Sequence, residues 1–374
     1  MPTGRAAVLE DYGEDLKLWE VQVDDPGPGE VLVRMAYSGV CHTDEHVVTG
    51  DLPLPVPMVL GHEGAGVVEA IGPGVTRLRP GDRVVLSWLP ACGRCQACRS
   101  GWTGMCRTTS RAAEKGTLWD GAVRVHAHGR PLSVMSLTGT LATYAVVPEQ
   151  GAVAVDADVP LAQAALLGCS ATTGYGAVAH AARLRPGASV TVIGVGGVGL
   201  HVVQASRLMG AERIFAVDRF PARLEAARRL GATDLVRVGE GEGDALVRIL
   251  DATGGMGTDY AFEVVGTPAT IAQAFNAVRP GGTAVVVGVA PPHEEVSLNA
   301  FAFPSQGKTL TGTWYGGGDL AEDVAALLGA QRAGRIHLEA FLGEPFPLER
   351  VNDAFAALRA GSATRPMVAL GGEP

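Results

Sequence analysis

The chain has 374 residues and a mass of 38.5 kDa, more than one hydrophobic core usually holds, so we expect two domains. Hydrophobic residues make up 47% of the sequence and charged residues 18%, which excludes a disordered protein. The net charge is −9 and no block of like charges occurs, so we expect neither a nucleic-acid partner nor an anionic membrane partner.

The sequence contains no pattern typical of an export signal or a membrane span. Residues 1–18 include four acidic side chains where a signal peptide would be apolar. The most apolar window, 188–203, is too short for a span and contains four glycines. The six cysteines therefore indicate a reducing compartment, in which clustered thiols bind metal or take part in catalysis. We expect a cytoplasmic protein.

The first 160 residues alternate short apolar runs with turns. Runs at 31–37, 66–71 and 83–87 are separated by Pro-Gly-Pro-Gly at 26–29 and Arg-Pro-Gly-Asp at 79–82. Short strands with dense turn signals predict an antiparallel, barrel-like β domain.

From about residue 164, buried-strand runs alternate with helical stretches such as 222–230 and 270–278. This pattern predicts a parallel sheet covered on both faces, and six strands fit a doubly wound dinucleotide-binding fold. The predicted strands are 189–193, 213–217, 234–236, 260–265, 283–289 and 309–313. After Trp314 the pattern returns to helices and a short strand at 366–370.

Four cysteines fall within one 15-residue stretch, with gaps of two, two and seven residues: Cys92, Cys95, Cys98 and Cys106. Four thiolates this close can enclose one zinc ion tetrahedrally, which is the closed ligand set of a structural site. Two disulfides are the alternative in an oxidising compartment, and the run lacks the ferredoxin spacing that ends in Cys-Pro.

The other two cysteines stand apart, and an isolated cysteine is most often a small core residue. Cys41, however, opens a polar run, and His62 and Glu63 follow between two glycines. With Cys169, two cysteines and one histidine form the three-ligand set of a catalytic zinc, which leaves a position for water or substrate.

A glycine-rich turn follows the predicted strand 189–193 and precedes an apolar helix. It has the G-x-G-x-x-G pattern in the strand–turn–helix context of a dinucleotide site: Gly194, Gly196, Gly197, Val198 and Gly199. Asp218 lies nineteen positions after Gly199 at the end of the next strand, where a carboxylate accepts from ribose hydroxyls and repels a 2′-phosphate. We therefore predict NAD as the cofactor, although Arg219 would soften that repulsion.

With these motifs in this order, the chain resembles the zinc-dependent alcohol dehydrogenases of the medium-chain dehydrogenase/reductase superfamily from end to end. It is most similar to the longer, liver-type branch, because 116–121 and the segment to Tyr144 look like that branch's extra loop. The resemblance implies an α/β fold with a GroES-like β-barrel catalytic domain (1–170 and 314–374, with a zinc lobe at about 90–110) and a Rossmann NAD-binding domain (171–313).

The resemblance also implies roles for individual residues. Cys41, His62 and Cys169 would hold the catalytic zinc, and the four-cysteine lobe a second zinc. Asp44 would orient His62, with Glu63 beside the metal, and Thr43 and His46 would relay the proton. Further cofactor contacts would come from His42, Thr173, Val198, Asp218, Arg223, Val289 and Arg365. The substrate cleft would be formed by Leu52, Trp88, Met135, Val289 and Trp314.

These features predict hydride transfer between a primary alcohol, aliphatic or aromatic, and NAD, in a homodimer that pairs through 309–314. Three alternatives stay open at this point: a thiol-dependent formaldehyde dehydrogenase, a nicotinoprotein that never releases NAD, and a non-catalytic zinc/NAD-binding scaffold or sensor. In the glutathione-dependent members an acidic residue and an arginine capture the adduct. The matching positions here hold Leu52 and Ser110, with Asp51 and Arg111 one residue away.

Overall fold

The computed structural model describes residues 1–239, 241–362 and 364–371. Short strands dominate the N-terminal part, as its turn-rich sequence predicts. In chain order they are β1 (Thr3–Leu9), β2 (Lys17–Val23), β3 (Glu30–Gly39), β4 (Met58–Val59), β5 (Glu63–Ile71), β6 (Arg83–Leu86), β7 (Val125–Ala127), β8 (Arg130–Pro131), β9 (Ser133–Val134), β10 (Tyr144–Pro148) and β11 (Ala152–Ala154). The helices among them are α1 (His42–Thr49), α2 (Gln96–Arg99) and α3 (Arg107–Lys115).

Helices and strands alternate through the middle of the chain. In order they are α4 (Leu161–Leu167), α5 (Ser170–Gly176), β12 (Ser189–Ile193), α6 (Gly197–Leu208), β13 (Arg213–Asp218), α7 (Pro221–Arg229), β14 (Asp234–Arg237), α8 (Ala245–Ala252), β15 (Thr258–Glu263), α9 (Pro268–Ala277), β16 (Val278–Val286), α10 (Ala302–Gln306) and β17 (Thr309–Gly312). The C-terminal part adds α11 (Leu320–Arg332), β18 (Phe346–Pro347), α12 (Val351–Arg359) and β19 (Met367–Ala369).

Two mainly antiparallel sheets form the barrel-like β domain. One has the strand order β8-β7-β2-β1-β4-β9, and the other has the order β11-β6-β5-β3-β19-β18, with β10 paired to β3. β19 returns from the C-terminal part to pair with β3, and Val40 N donates to Pro366 O at 2.9 Å. This return places the C-terminal segment beside the start of α1.

The third sheet is parallel throughout and has the order β14-β13-β12-β15-β16-β17. This is the order of a doubly wound dinucleotide fold, and all six predicted strands are present. Two of them end two or three residues before their predicted carboxyl ends, β15 at Glu263 and β16 at Val286, whereas β17 ends one residue early, at Gly312. The apolar run continues past both ends, but the backbone turns there to form hydrogen bonds with Glu263.

One hydrophobic core runs from the β domain into the parallel sheet and includes Val67, Leu166 and Val202. Helix α4 packs against β3, β5 and β6 and thus joins the two parts of the molecule. The strands place the parallel sheet within 189–312, whereas the division at 170/171 and 313/314 stays a prediction. In the part of the chain that the structure describes, no helix combines the length and apolarity that crossing a membrane requires.

Candidate active site

A cavity of about 570 Å³ lies between the β domain and the carboxyl ends of the parallel strands, where doubly wound folds bind ligands. Most of the residues singled out from the sequence line it. They are Cys41, His42, Thr43, His46, Leu52, His62, Trp88, Cys169, Thr173, Gly194, Gly196, Gly197, Val198, Gly199, Asp218, Arg223, Val289, Trp314 and Arg365.

Three metal-binding side chains meet at this cavity from separate parts of the chain. Cys41 precedes α1, His62 precedes β5 and Cys169 precedes α5. All three are buried, and their ligand atoms lie within 4.8 Å of one another. Two thiolates and an imidazole at that spacing fit tetrahedral zinc with an open fourth position.

Asp44 orients both a cysteine and the histidine of this group. Its Oδ1 lies 3.0 Å from Nδ1 of His62, and its Oδ2 accepts from Cys41 N at 2.8 Å. Since the carboxylate accepts a hydrogen bond from the Nδ1–H of His62, the Nε2 atom of His62 can bind a metal. The predicted contact between Asp44 and His62 is therefore present, on a carboxylate that is completely buried.

Glu63 and Arg365 form a buried ion pair behind the three ligands. Arg365 Nε donates to Glu63 Oε1 at 3.0 Å, its Nη2 contacts Oε2, and Ser170 Oγ donates to the same carboxylate at 3.1 Å. Burial raises the pKa of Glu63, and the guanidinium opposes that shift. Arg365 also reaches the glycine-rich turn, because a Cβ on Gly197 would lie 3.1 Å from its Nη1.

The glycine-rich turn has the geometry of a dinucleotide cradle. Gly194 has a φ of +86°, and a Cβ on Gly199 would lie 1.9 Å from the carbonyl oxygen of Gly194, so neither position accepts a side chain. Helix α6 begins at this turn, and its first residues, Gly197, Val198 and Gly199, line the cavity, which is where a helix favours anions. Thr173 Oγ1, across the cavity, is buried and has no hydrogen-bond partner among the described residues, so a cofactor's polar group fits there.

Asp218 ends β13 beside this turn and already accepts two backbone hydrogen bonds. Val195 N donates to its Oδ2 at 3.0 Å and Phe220 N to its Oδ1 at 2.9 Å, while Arg223 Nη1 lies 3.9 Å away. These contacts fix the carboxylate at the cavity, where Arg219 is a further lining residue. Its contact with a ribose stays a prediction.

The four-cysteine lobe is a second and separate group. Cys92, Cys95, Cys98 and Cys106 place their sulfur atoms within 4.8 Å of one another, with 3.5 Å between Cys95 Sγ and Cys98 Sγ. Thr108 Oγ1 and Cys95 N donate to the Cys92 sulfur, and these bonds outweigh burial and lower the pKa of Cys92 to about 6. Burial and the neighbouring Cys95 raise the pKa of Cys98 to about 12, and a bound cation would favour the thiolate of this residue.

The two predicted proton-relay residues are on α1. Thr43 Oγ1 lies 3.7 Å from the Cys41 sulfur, within the cavity wall. His46, in the last turn of the helix, is half-buried, and its Nδ1 lies 3.4 Å from Asp51 Oδ2. Both side chains border the cavity, and their part in proton transfer stays a prediction.

The substrate end of the cavity differs from the prediction at one residue. Met135 is 1% exposed and packs in the core of the β domain, so its assignment to the cleft was wrong. The next residue, Ser136, lines the cavity because its φ of +51° turns the chain there. Tyr315 also lines the cavity with a positive φ, and its hydroxyl donates to Gly168 O at 2.6 Å. A left-handed backbone at non-glycine residues has no clear sequence pattern, so both were missed.

Comparison with known proteins agrees with this geometry. The profile of the alcohol dehydrogenase GroES-like domain matches residues 27–157, and that of the zinc-binding dehydrogenase family matches residues 197–330. An S-(hydroxymethyl)glutathione dehydrogenase of Escherichia coli O1:K1 is 37% identical over 366 residues, which cover 97% of this chain and 99% of the relative. The chain belongs to the zinc-dependent alcohol dehydrogenase family. It is an NAD-dependent oxidoreductase of the medium-chain superfamily that uses zinc, as the sequence predicts.

Two solved structures are similar over essentially the whole chain. The alcohol dehydrogenase zinc-binding domain protein of Burkholderia ambifaria is 36% identical, with a TM-score of 0.93 and coverage of 99% of both chains. The benzyl alcohol dehydrogenase of Acinetobacter calcoaceticus is 31% identical, also with a TM-score of 0.93, and covers 99% of this chain and 100% of its own. They confirm the predicted GroES-like and Rossmann architecture.

Proposed function

We propose that this dehydrogenase oxidises primary alcohols, aliphatic or aromatic, to aldehydes with NAD, and catalyses the reverse reaction. Cys41, His62 and Cys169 would hold the catalytic zinc, and the glycine-rich turn with Asp218 would hold the dinucleotide. In such a site zinc supplies Lewis-acid polarisation of the alcohol oxygen, and NAD accepts the hydride. Thr43 and His46 would move the alcohol proton outward, and Asp44 would keep His62 in the metal-binding tautomer.

The observation that carries the proposal is an aromatic wall next to the zinc ligands. The Trp88 ring stands edge-on to His62 and to Trp314, with centroids 5.9 and 5.6 Å apart, and lies 4.7 Å from the Tyr315 ring. Flat aromatic surfaces stabilise apolar and aromatic groups by burial and stacking. The bulk of these rings beside the metal ligands leaves little room for a second carbon substituent, so secondary alcohols should react poorly.

The arginines of the described cavity lining are at the dinucleotide end or already paired. Arg219 follows Asp218 and Arg223 lies 3.9 Å from that carboxylate, whereas Arg365 is buried in its ion pair with Glu63. Thus no described arginine or lysine lines the aromatic end, where the two carboxylates of a glutathione adduct would need partners. Arg111 is exposed on α3 and Leu52 lines the cavity. A free alcohol therefore fits this cleft better than the adduct named for the Escherichia coli relative.

A substrate panel tests this proposal. We expect kcat/KM with NAD to be about tenfold or more higher for benzyl alcohol and 1-butanol than for 2-butanol. Added glutathione should not increase the rate of formaldehyde oxidation, and turnover of alcohols should require added NAD. Glutathione-dependent activity would instead favour a thiol-adduct substrate, and activity without added NAD but with an artificial acceptor would indicate a nicotinoprotein.

Two tryptophan variants connect the panel to the aromatic wall. Trp88→Ala should raise kcat/KM for 2-butanol relative to 1-butanol, because it opens space beside the metal ligands. Trp102→Ala is the matched control, since Trp102 is 68% exposed on the cysteine lobe, and the ratio should not change. An unchanged ratio in Trp88→Ala would contradict the pocket assignment.

We further propose that the protein is a homodimer that pairs through β17. This strand is at an edge of the parallel sheet, and its outer side pairs with no other strand of the described residues. Phe301 and Phe303, 73% and 40% exposed, precede it and add apolar surface. Light scattering should give twice the chain mass, and Leu310→Pro should yield monomers because proline removes a strand N–H donor.

A further inference from the structure

Glu263 is a completely buried acidic residue that none of the assigned roles explains. It is the last residue of β15, and the next two residues, Val264 and Val265, line the cavity. An acidic side chain is rarely fully buried without a strong partner. No described cation is bonded to it, so its hydrogen bonds must account for its position.

The side chain organises the turn that follows β15. Its Oε1 accepts from Val265 N at 2.7 Å, from Gly266 N at 2.8 Å and from Thr270 Oγ1 at 2.8 Å. All three donors therefore converge on one oxygen, and this convergence bends the chain where the apolar sequence pattern predicts a longer strand. The other oxygen, Oε2, is buried and has no hydrogen-bond partner in the described parts of the chain.

The backbone of the same residue holds the neighbouring turn. The carbonyl oxygen of Glu263 accepts from Val287 N at 2.8 Å and from Gly288 N at 3.0 Å, just after the end of β16. The two turns touch, because a Cβ on Gly288 would lie 2.2 Å from Gly266 N. Val287, Gly288 and Val289 line the cavity together with Val264 and Val265 of the first turn. One residue thus binds five donors and joins two adjacent parts of the cavity wall.

We propose that Glu263 is a positioning residue for the dinucleotide, which sets the wall of the cofactor cleft by fixing turns 264–266 and 287–289 against each other. This proposal rests on the dinucleotide site described above. The side chain touches neither substrate nor cofactor in this scheme; it acts through the backbone of the residues that do. A residue that only stabilises the sheet would affect unfolding without a selective effect on NAD binding, and this difference makes the proposal testable.

The experiment measures the Kd of NAD by calorimetry on the zinc-loaded protein, together with Tm. Glu263→Leu removes the acceptor and should raise the Kd about tenfold or more. Glu263→Gln keeps one acceptor oxygen and should stay within about threefold of the wild type. The KM for NAD should rise more than kcat falls, because the cleft wall contributes to binding rather than to the reacting groups.

Asp259 offers a matched control at the opposite end of the same strand. Its carboxylate accepts from Ser189 N, Ser189 Oγ and Arg279 Nε at 2.8, 2.7 and 2.7 Å, away from the cavity. Asp259→Ala should lower Tm and leave the Kd of NAD unchanged. An equal rise in Kd in this control, or no rise in Glu263→Leu, would overturn the proposal.

A second pair of variants applies if Glu263→Leu does not fold. Thr270→Val removes one of the three donors and should raise the Kd of NAD about threefold. Thr270→Ser keeps the hydroxyl, so its Kd should equal that of the wild type. Equal Kd values for Thr270→Val and Thr270→Ser would overturn the proposal. A wild-type protein that does not bind NAD would instead overturn the cofactor site itself, and the role of Glu263 with it.

Discussion

The two cysteine-containing groups of this molecule are built in opposite ways. The lobe takes four ligands from residues 92–106, and three of the four sulfurs belong to half-exposed residues. The cleft takes its ligands from Cys41, His62 and Cys169, all buried, on segments that only the folded β domain and α5 bring together. The lobe is therefore a local site, whereas the cleft is an assembled one.

This difference separates what each site does for the protein. A closed set of four ligands on a short loop has little other structure to hold it, so its metal contributes directly to folding. A three-ligand set inside a packed core is positioned by the surrounding fold and keeps one position open for chemistry. Loss of the first metal should thus lower stability, and loss of the second should remove activity.

Replacing one cysteine from each group tests this contrast and should produce the largest effect. Cys169→Ala should abolish alcohol oxidation and change Tm by no more than about 3 °C. Cys95→Ala should lower the free energy of unfolding by on the order of 4–5 kcal/mol, since loss of a metal is one of the few changes with so large an effect. Activity assays and thermal unfolding of both variants check these two predictions. An unstable Cys169→Ala together with an active, stable Cys95→Ala would reverse the assignment of the catalytic and structural sites.

A smaller effect is expected from the carboxylate that orients the assembled site. Asp44→Asn cannot accept from both His62 Nδ1 and Cys41 N, because an NH2 group, which only donates, replaces one of the two carboxylate oxygens. Zinc affinity or activity should fall about 10–100-fold, as for other residues that orient metal ligands. Titration of the cleft zinc with a chelator measures the change, and unaltered retention of zinc would remove Asp44 from this role.

The packing behind the assembled site predicts a pH effect on stability. His201 on α6 stacks on Phe341 at 3.7 Å, and its Nε2 has no partner among the described residues. Burial, with Arg365 nearby, lowers the pKa of His201 to about 3, so the unfolded chain binds this proton near pH 6.5 and the folded chain does not. Stability should therefore fall as the pH drops below about 6.5, by up to ~1.4 kcal/mol per pH unit from this group.

Replacing His201 checks the direction of this pH dependence. His201→Phe keeps an aromatic partner for Phe341 and removes the group that titrates. Its free energy of unfolding should therefore decline less between pH 7 and pH 5 than that of the wild type. Denaturant unfolding at the two pH values gives the comparison. A wild type that loses no more stability than the variant would contradict a neutral buried His201.

The smallest effect concerns cofactor choice at the glycine-rich turn, which is local in sequence like the lobe. Asp218→Gly removes the carboxylate and leaves Arg219 and Arg223, which line the cavity beside it, to attract a 2′-phosphate. The kcat/KM ratio of NAD to NADP should fall about tenfold. A ratio that does not change would contradict the role of Asp218.

Local patterns explain how much of this molecule could be predicted from its sequence. The four cysteines, the glycine-rich turn and the six parallel strands depend on neighbours along the chain, so spacing and apolar runs indicate them. The cleft group has no such spacing: residue types and a polar run suggested Cys41, His62 and Cys169 as one ligand set, and the family resemblance supported connecting them across the sequence.

Features created by tertiary packing could not be predicted in this way. Arg365 reaches Glu63 across 302 residues, and no spacing rule relates them. Ser136 takes the place expected of Met135 because of a left-handed turn, and β15 ends early because Glu263 binds the backbone beyond it. Each depends on backbone geometry or distant contacts that single-sequence patterns do not contain.

Zinc content during partial chelation tests the contrast between the two sites most directly. The protein as purified should contain two zinc ions per chain, and a chelator at neutral pH should remove one of them along with all alcohol oxidation. Circular dichroism and Tm should stay near their starting values, and added zinc should restore activity. A protein with one zinc ion or none, or one that loses both ions only as it unfolds, would contradict the division into an assembled catalytic site and a local structural site.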